Sequence, residues 1–288
     1  MRLPVSVIVV NYNKLPYSRL CLESLLGSEP LPAQIVCIDN GSTDGTVQYL
    51  GDRFPALCHA AGIDYAFIPN ETNAGAITAR NQGLEVADQA HIAFCDNDLA
   101  LRSRNWLRVL TDVLEAREDH GIVGPKLVYP FEPYNIECAG VAISPTGRVQ
   151  YRGRGQAIDD GPFNEPRQVQ CLISACWLMS RAITDSVGGM DEVFNPAQFE
   201  DFDLCYRARE NGWKVLYEPS AEMYHFENVT TDGSVDVKFR YVTMKNWQEF
   251  KKRWGHMFAH EDGPADEDCR WVPLETRPLE QTGVPPVI

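Results

Sequence analysis

The sequence predicts an α/β protein with a mostly parallel central sheet flanked by helices, followed by a smaller region and a C-terminal helical extension. Over the first 128 residues, apolar runs rich in β-branched residues alternate with helical patterns. This alternation is typical of parallel strands joined by crossover helices. After residue 128 the composition shifts to Pro, Gly, Asn and Arg, and at 288 residues the chain is long enough to bury one large core.

The elements are predicted from the period of the apolar residues. Strands are expected at 5–10, 34–38, 65–68, 91–94 and 122–128, and helices at 15–26, 43–54, 74–87, 106–117 and 199–210. Asn211-Gly212 provides a normal C-terminal signal for the last of these helices. The second half shows a weak strand at 140–143, an apolar run at 169–179, and short strands at 213–217 and 222–225.

Composition and charge exclude several classes of protein. A chain that is 44% hydrophobic and 23% charged is ordinary for a soluble globular protein. The net charge of −14 opposes binding to nucleic acid. No apolar stretch reaches the roughly 18 residues of a membrane-spanning helix, and the alternating N-terminus predicts a first strand and not a signal peptide. The nine scattered cysteines, with no CxxC pair, predict buried thiols in a reducing cytoplasm.

Three polar clusters follow predicted strands. Parallel sheets bind ligands at the carboxyl ends of their strands, so these clusters are expected to share one edge. Each cluster alone is explained as a turn or a helix cap, but three on one edge predict a binding site. Their polar side chains are Asn11, Tyr12 and Asn13 after the first strand, Asp39, Asn40 and Ser42 after the second, and Asp96, Asn97 and Asp98 after the fourth.

The third cluster predicts a divalent metal site. Two carboxylates one residue apart, Asp96 and Asp98, suit Mg²⁺ or Mn²⁺, which completes its shell with substrate phosphates and water. A phosphate-rich ligand is therefore expected. Arg80 is a candidate cation for a diphosphate, with a surface ion pair as the alternative. The sequence contains neither a P-loop nor a GxGxxG turn, so neither of those nucleotide sites is indicated.

A second acidic group opens the helix predicted at 199–210. Capping and dipole compensation explain acids in a first turn, but bulky apolar neighbours would bury Glu200 and Asp201. A helix N-terminus keeps a carboxylate ionised, which suits a general base. His225 ends a predicted strand and is either a metal ligand or a packed structural residue.

Together these motifs resemble the family 2 glycosyltransferases of GT-A fold, over roughly residues 4–230. The chain is most similar to single-domain bacterial enzymes of cell-surface polysaccharide synthesis, including rhamnosyltransferase-like ones. The resemblance rests on the segments 5–13, 38–45, 73–81, 96–98 and 189–194, on Glu200-Asp-x-Asp-Leu204, and on Arg207, Gly212 and His225.

The resemblance implies an inverting transfer of a sugar from a UDP, dTDP or GDP sugar to a hydroxyl of a saccharide or lipid-linked saccharide, with Mn²⁺ or Mg²⁺. Asp201 would be the general base, with Glu200 as its substitute, and Asp98 and His225 would bind the metal. Trp177 would contact the acceptor, with core packing as the alternative. Nucleotide-sugar contacts would come from Asn11, Tyr12, Asn13, Asp39, Asn40, Ser42, Arg80, Asp96 and Asn97.

The same resemblance sets the expected domains. Residues 1–230 would form the transferase domain, with a nucleotide-sugar half at 1–128 and an acceptor half at 129–230. A helix at 231–258 and an acidic, Pro-rich tail at 259–288 would follow. The helix mixes basic and aromatic residues, so it either packs on the domain or lies on the inner face of the cytoplasmic membrane. The tail offers a contact for a homo-oligomer.

Two other functions are weighed against a transferase. A sugar-nucleotide-binding protein without turnover would have no need of the Glu200-Asp201 pair. A phosphatase-like hydrolase also carries Asp-x-Asp after an apolar strand, but on its first strand and not its fourth. The sugar, the acceptor, the linkage and the oligomeric state stay open.

Overall fold

The main sheet contains ten strands among the described residues, and a hairpin forms a second sheet. The structure is a computed structural model that describes residues 2–159, 161–229 and 239–288. The strands are β1 (Arg2–Asn11), β2 (Leu31–Asn40), β3 (Asp64–Asn70), β4 (His91–Asp96), β5 (Leu99–Leu101), β6 (His120–Val128), β7 (Ile136–Cys138), β8 (Val141–Ile143), β9 (Val149–Tyr151), β10 (Arg167–Gln168), β11 (Cys176–Ser180) and β12 (Lys214–His225).

Helices connect these strands. Tyr49–Arg53 is a π-helical turn, and Gly161–Phe163 and Glu192–Phe194 are short 3₁₀ turns. The described α-helices are α1 (Leu15–Leu25), α2 (Thr46–Gln48), α3 (Phe54–Ala61), α4 (Ala76–Val86), α5 (Trp106–Glu115), α6 (Arg181–Val187), α7 (Glu200–Glu210), α8 (Phe239–Phe258) and α9 (Leu279–Thr282). The predicted α/β class, with a mostly parallel sheet flanked by helices, is confirmed.

The order of the strands brings the polar clusters together. The main sheet runs β10-β12-β6-β11-β4-β1-β2-β3, and β1, β2, β3 and β4 are mutually parallel neighbours. In this register Asn11 lies beside Asp39, and Val10 lies beside Asp96. All three polar clusters therefore share one edge of the sheet, as the alternation of strands and helices predicts.

Two strands of the second half differ from the prediction. The apolar run at 169–179 contributes only β11, which is antiparallel to both β4 and β6. The two short strands predicted at 213–217 and 222–225 are one strand, β12, whose pairing with β6 shifts between Glu218 and Glu222. Pro219 lies within that shift, and proline cannot donate a ladder hydrogen bond, so its position explains why the pattern reads as two strands.

The C-terminal region packs on the same core. Helix α8 is described from Phe239, and the first residues of the helix predicted at 231–258 lie outside the described residues. Phe250, Trp254 and Phe258 are buried in the main core, as the packing alternative requires. The backbone N–H of Ile288 donates to Arg102 O at 2.7 Å, so the end of the tail lies against the domain. Among the described helices, none has the length and apolarity to cross a membrane.

Candidate functional site

A cavity of about 540 Å³ opens at the carboxyl edge of the sheet. It lies between the ends of strands β1, β2 and β4 and the acidic N-terminus of α7. The sequence-predicted residues that line it are Tyr12, Asn40, Arg80, Asp96, Asn97, Asp98, Glu200, Asp201 and His225. The structure thus brings residues from both halves of the chain to one cavity.

Three of these residues form a cluster suited to a metal ion. One donor atom each from Asp96, Asp98 and His225 lies within 4.8 Å of the other two. The antiparallel pairing of β12 with β5 sets His225 opposite Leu99, next to Asp98, and His225 Nε2 lies 3.2 Å from Asp98 Oδ1. Two carboxylates and an imidazole are donors that Mn²⁺ accepts, so these residues fit a divalent cation.

Glu137 fixes the orientation of the His225 ring through the Nδ1 atom. Its carboxylate Oε2 accepts a hydrogen bond from His225 Nδ1 at 2.7 Å, and the Glu137 side chain is buried. Occupying Nδ1 directs Nε2 toward Asp98 and the cavity, as in metal sites where a carboxylate orients the ligating histidine. Burial alone would lower the pKa of His225, but Glu137 and Asp98 raise it well above its ordinary value. Sequence reasoning missed Glu137 because β7 carries no motif.

Arg80 on α4 bridges the two halves of the site. Its Nη2 donates to Asp96 Oδ1 at 2.6 Å, and its Nη1 donates to Glu200 Oε1 at 2.9 Å. The guanidinium and Glu200 are both buried, so this is not the surface ion pair that the sequence left open. The bridge connects the end of β4 to the start of α7 through a side chain of a third element.

The loop before Glu200 has an unusual backbone that α8 supports. Gln198 and Phe199 have φ angles of +82° and +73°, in the left-handed region that bulky residues rarely adopt. The buried amide of Asn246 donates to the carbonyls of Phe194, Ala197 and Gln198 at 2.7, 2.9 and 2.9 Å. Helix α8 therefore holds the loop that delivers the acidic pair to the cavity.

Glu200 and Asp201 have different environments although they are adjacent. Asp201 Oδ1 accepts from the N–H of Phe202 at 2.8 Å, and its Oδ2 accepts from the N–H of Ser174 at 3.2 Å. Burial, and after it the negative charge of Glu200, raises the pKa of Asp201 to about 8. Arg80 holds Glu200, whereas no cationic side chain among the described residues is paired with Asp201. Burial raises the pKa of Glu200 as well, but there the charge of Arg80 opposes the rise directly, so Asp201 is the less compensated of the two carboxyls.

Four predicted nucleotide contacts, Asn11, Asn13, Asp39 and Ser42, are not part of the described cavity wall. Asp39 Oδ2 accepts from the N–H groups of Gly41 and Ser42 at 3.1 and 2.8 Å, so it shapes the loop after β2. Its Oδ1 is buried with no hydrogen-bond partner among the described residues, as is Oδ1 of the neighbouring Asn11. Their contact with a nucleotide stays a prediction.

The predicted acceptor contact of Trp177 is wrong. Its side chain is 0% exposed, and its ring packs 6.2 Å from that of Phe94, centroid to centroid, so the packing alternative holds. The reason is position along β11. Ser174 and Ala175, just before the strand, reach the cavity, whereas Trp177 lies inside the sheet opposite Phe94. The sequence around an aromatic residue near a site motif does not show whether its ring lines the cavity or packs in the core.

Comparisons with known proteins agree with this architecture. The family model described as "Glycosyl transferase family 2" matches residues 6–188. The chain is 28% identical over 271 residues to the uncharacterized protein y4gI of Sinorhizobium fredii, and it spans 28% of that protein's length. It is also 28% identical over 254 residues to the N-acetylglucosaminyl-diphospho-decaprenol L-rhamnosyltransferase of Mycobacterium tuberculosis, covering 78% of this chain and 76% of the relative.

Solved structures share the fold at low identity. The crystal structure of GalNAc-T7 with UDP, GalNAc and Mn²⁺ matches with a TM-score of 0.70 and 17% identity, over 88% of this chain and 48% of the other. The mannosyltransferase PcManGT from Pyrobaculum calidifontis, in complex with GDP-Man and Mn²⁺, matches with a TM-score of 0.57 and 17% identity, over 89% of this chain and 71% of the other. Glu200, Asp201 and His225 lie beyond the residues that the family model matches.

The raised pKa of Asp201 predicts how stability depends on pH. Folded Asp201 keeps its proton up to about pH 8, whereas in the unfolded chain it loses the proton near its ordinary value of 3.8. Folding is therefore penalised increasingly as pH rises between these values, and Asp201→Asn removes the penalty. Since pH 5 lies only a little above the ordinary value, we expect this variant to be slightly more stable than the parent near pH 5 and more stable near pH 9 by about 2 kcal/mol, because the cavity is partly solvated.

The measurement is urea unfolding in EDTA at both pH values. Asp191→Asn is a control whose stability should change in the opposite direction. Partial burial raises the pKa of Asp191, but the N–H of Val193 and the charge of Arg253 outweigh it and lower that pKa. That variant should lose stability about equally at both pH values, because both lie above the ordinary pKa of 3.8. A gain for Asp201→Asn that is equal at both pH values would contradict the raised pKa.

Proposed function

The chain belongs to glycosyltransferase family 2, and from this premise we propose that it is an inverting, metal-dependent enzyme transferring a sugar from a nucleoside diphosphate sugar to a hydroxyl of a saccharide or lipid-linked saccharide. One observation carries the proposal. The metal-fitting cluster of Asp96, Asp98 and His225 and the buried carboxyl of Asp201 line the same cavity. A donor diphosphate and an acceptor hydroxyl would therefore meet there.

The donor side is the edge formed by β1, β2 and β4. Tyr12, Asn40 and Asn97 line the cavity there, beside the metal-fitting cluster. The name of one relative, which includes a diphospho-decaprenol acceptor, and the UDP and GDP-Man in two structures of like fold support this donor class and acceptor class. UDP, dTDP and GDP remain the candidate nucleotides.

A Mn²⁺ or Mg²⁺ ion held by Asp98 and His225, with Asp96 beside them, would neutralise negative charge on the donor diphosphate. Glu137 keeps the imidazole aimed at this position. Arg80 holds Asp96 by an ion pair of 2.6 Å, and from this position the carboxylate would face the metal and the donor sugar. The positive charge of Arg80 lies at the wall where the leaving diphosphate would gather charge.

Asp201 is the proposed general base. It takes the proton of the acceptor hydroxyl while the hydroxyl oxygen attacks the anomeric carbon from the face opposite the leaving group. A new carbon–oxygen bond forms, the bond to the diphosphate oxygen breaks, and its electron pair leaves with the nucleoside diphosphate. A single displacement inverts the anomeric configuration. A pKa of about 8 suits a base that works near neutral pH.

Asp201→Asn separates binding from catalysis. We expect transfer to fall by at least about 100-fold, since a positioned general base contributes that much, while nucleoside diphosphate binding is unchanged. The assay follows nucleoside diphosphate release and records the anomeric configuration of the product by NMR. Asp191→Asn, outside the cavity wall, is the control. Full transfer by Asp201→Asn would refute the assignment of the base, and a parent that binds nucleotide but never transfers would favour binding without turnover.

Glu137→Gln tests the metal site without any reaction. Removing the charge behind His225 should weaken Mn²⁺ binding by about tenfold, the loss typical when a partner of a ligating histidine is changed. Calorimetric titration of the protein with MnCl₂ and a nucleoside diphosphate measures this directly. Glu132→Gln changes an exposed carboxylate nearby and should leave the affinity as it is. Equal affinities for Glu137→Gln and the parent would show that His225 does not bind the ion through this arrangement.

A further inference from the structure

The C-terminal segment contributes an aromatic residue to the cavity. Trp271 lies far beyond the residues that the family model matches, yet it lines the same cavity as Asp201. It is 58% exposed, although tryptophan is on average a highly buried residue. Sequence patterns gave no reason to connect this segment with the site.

The segment is fastened to the domain where it approaches the cavity. The carboxylate of Asp266 accepts from the hydroxyls of Ser144 and Thr146 at 2.6 and 2.7 Å. The side-chain amide of Gln150 donates to the carbonyl of Asp268 at 2.8 Å. These bonds attach the segment to the β8–β9 hairpin, so hydrogen bonds on its N-terminal side hold Trp271 near the cavity.

The Trp271 ring itself is held in a defined orientation. The guanidinium of Arg154 lies 3.9 Å from the ring centroid, and the Tyr151 ring meets it edge-on at 5.4 Å and 74°. Arg154 is fixed in turn, because it pairs with Glu227 at 3.0 Å and donates to Val272 O at 2.9 Å. Trp271 stays 58% exposed with both Arg154 and Tyr151 in contact with it. A ring preorganised in this way loses little freedom when a ligand stacks on it.

The position of Trp271 in the cavity favours a contact with the acceptor over a contact with the donor. Tyr151, which touches Trp271, also lines the cavity and lies within electrostatic reach of Asp201. The nucleotide side, formed by the ends of β1, β2 and β4, is built from other elements. Trp271 therefore belongs to the wall where the proposed base would receive a hydroxyl.

We propose that Trp271 is the platform on which the acceptor saccharide stacks, an inference that rests on the proposed function. A pyranose ring has a face of C–H bonds whose polarity complements the negative face of an indole. Stacking there would orient one hydroxyl of the sugar toward Asp201. The acceptor class is thus a saccharide whose reacting sugar presents an apolar ring face.

The experiment compares Trp271→Ala, Trp271→Phe and the parent. Their affinities for a panel of octyl glycosides (glucose, N-acetylglucosamine, galactose and rhamnose) are measured by saturation-transfer NMR in the presence of UDP and Mn²⁺. We expect the best glycoside to bind at least about tenfold more weakly to Trp271→Ala, with Trp271→Phe close to the parent. Tyr241→Ala removes another exposed aromatic, one outside the cavity wall, and should change nothing.

The affinity for UDP is measured on the same samples. Unchanged UDP binding with weakened glycoside binding supports the platform. Unchanged glycoside affinity in Trp271→Ala, a loss of UDP affinity instead, or no glycoside binding by a parent that binds UDP would each overturn it. A parent that binds none of UDP, dTDP and GDP would refute the proposed function itself, so the two failures are distinct.

Discussion

The buried guanidinium of Arg80 is the interaction on which the site depends. It bonds to Asp96 at the end of β4 and to Glu200 at the start of α7, and so joins the two walls of the cavity. Removing one partner of a buried pair typically costs about 3–5 kcal/mol, because a charge is left without compensation. The separation of the metal-fitting carboxylates from Asp201 is therefore set by a strong and directional contact, and not by loop packing alone.

The Arg80 bridge also gives the adjacent acids Glu200 and Asp201 different environments. Arg80 pairs with Glu200, while Asp201 has no such cation among the described residues; burial, and after it the charge of Glu200, raise the pKa of Asp201 although the Ser174 N–H opposes the rise. The strained backbone at Phe199 and the support from Asn246 show that the surrounding structure maintains this arrangement at some energetic cost. Helix α8 therefore contributes to the site although none of the proposed chemistry is assigned to it.

The polar clusters at the strand ends were predictable from the sequence, because each cluster directly follows an apolar run. The register that sets Val10 beside Asp96 follows from the order of parallel strands, so the edge of the sheet could be predicted from alternation alone. The direction of β11 could not be predicted, because the sequence of a short apolar strand does not indicate whether it runs parallel or antiparallel to its neighbours. Glu137 meets His225 across 88 residues, and such contacts leave no spacing to recognise. Trp177 is buried and Trp271 is exposed, a difference that the sequence does not reveal because burial is a property of the whole fold.

Nucleotide binding that requires the metal is the central claim, and thermal unfolding tests it most directly. The protein is heated with UDP, dTDP or GDP, each with Mn²⁺ and each with EDTA. A ligand that binds only the folded state adds about 2.7 kcal/mol at a hundred times its Kd. We predict a rise in the unfolding midpoint with at least one nucleoside diphosphate and Mn²⁺, which is lost in EDTA and in Asp98→Asn. An equal rise in EDTA, or none with any nucleotide, would contradict the account.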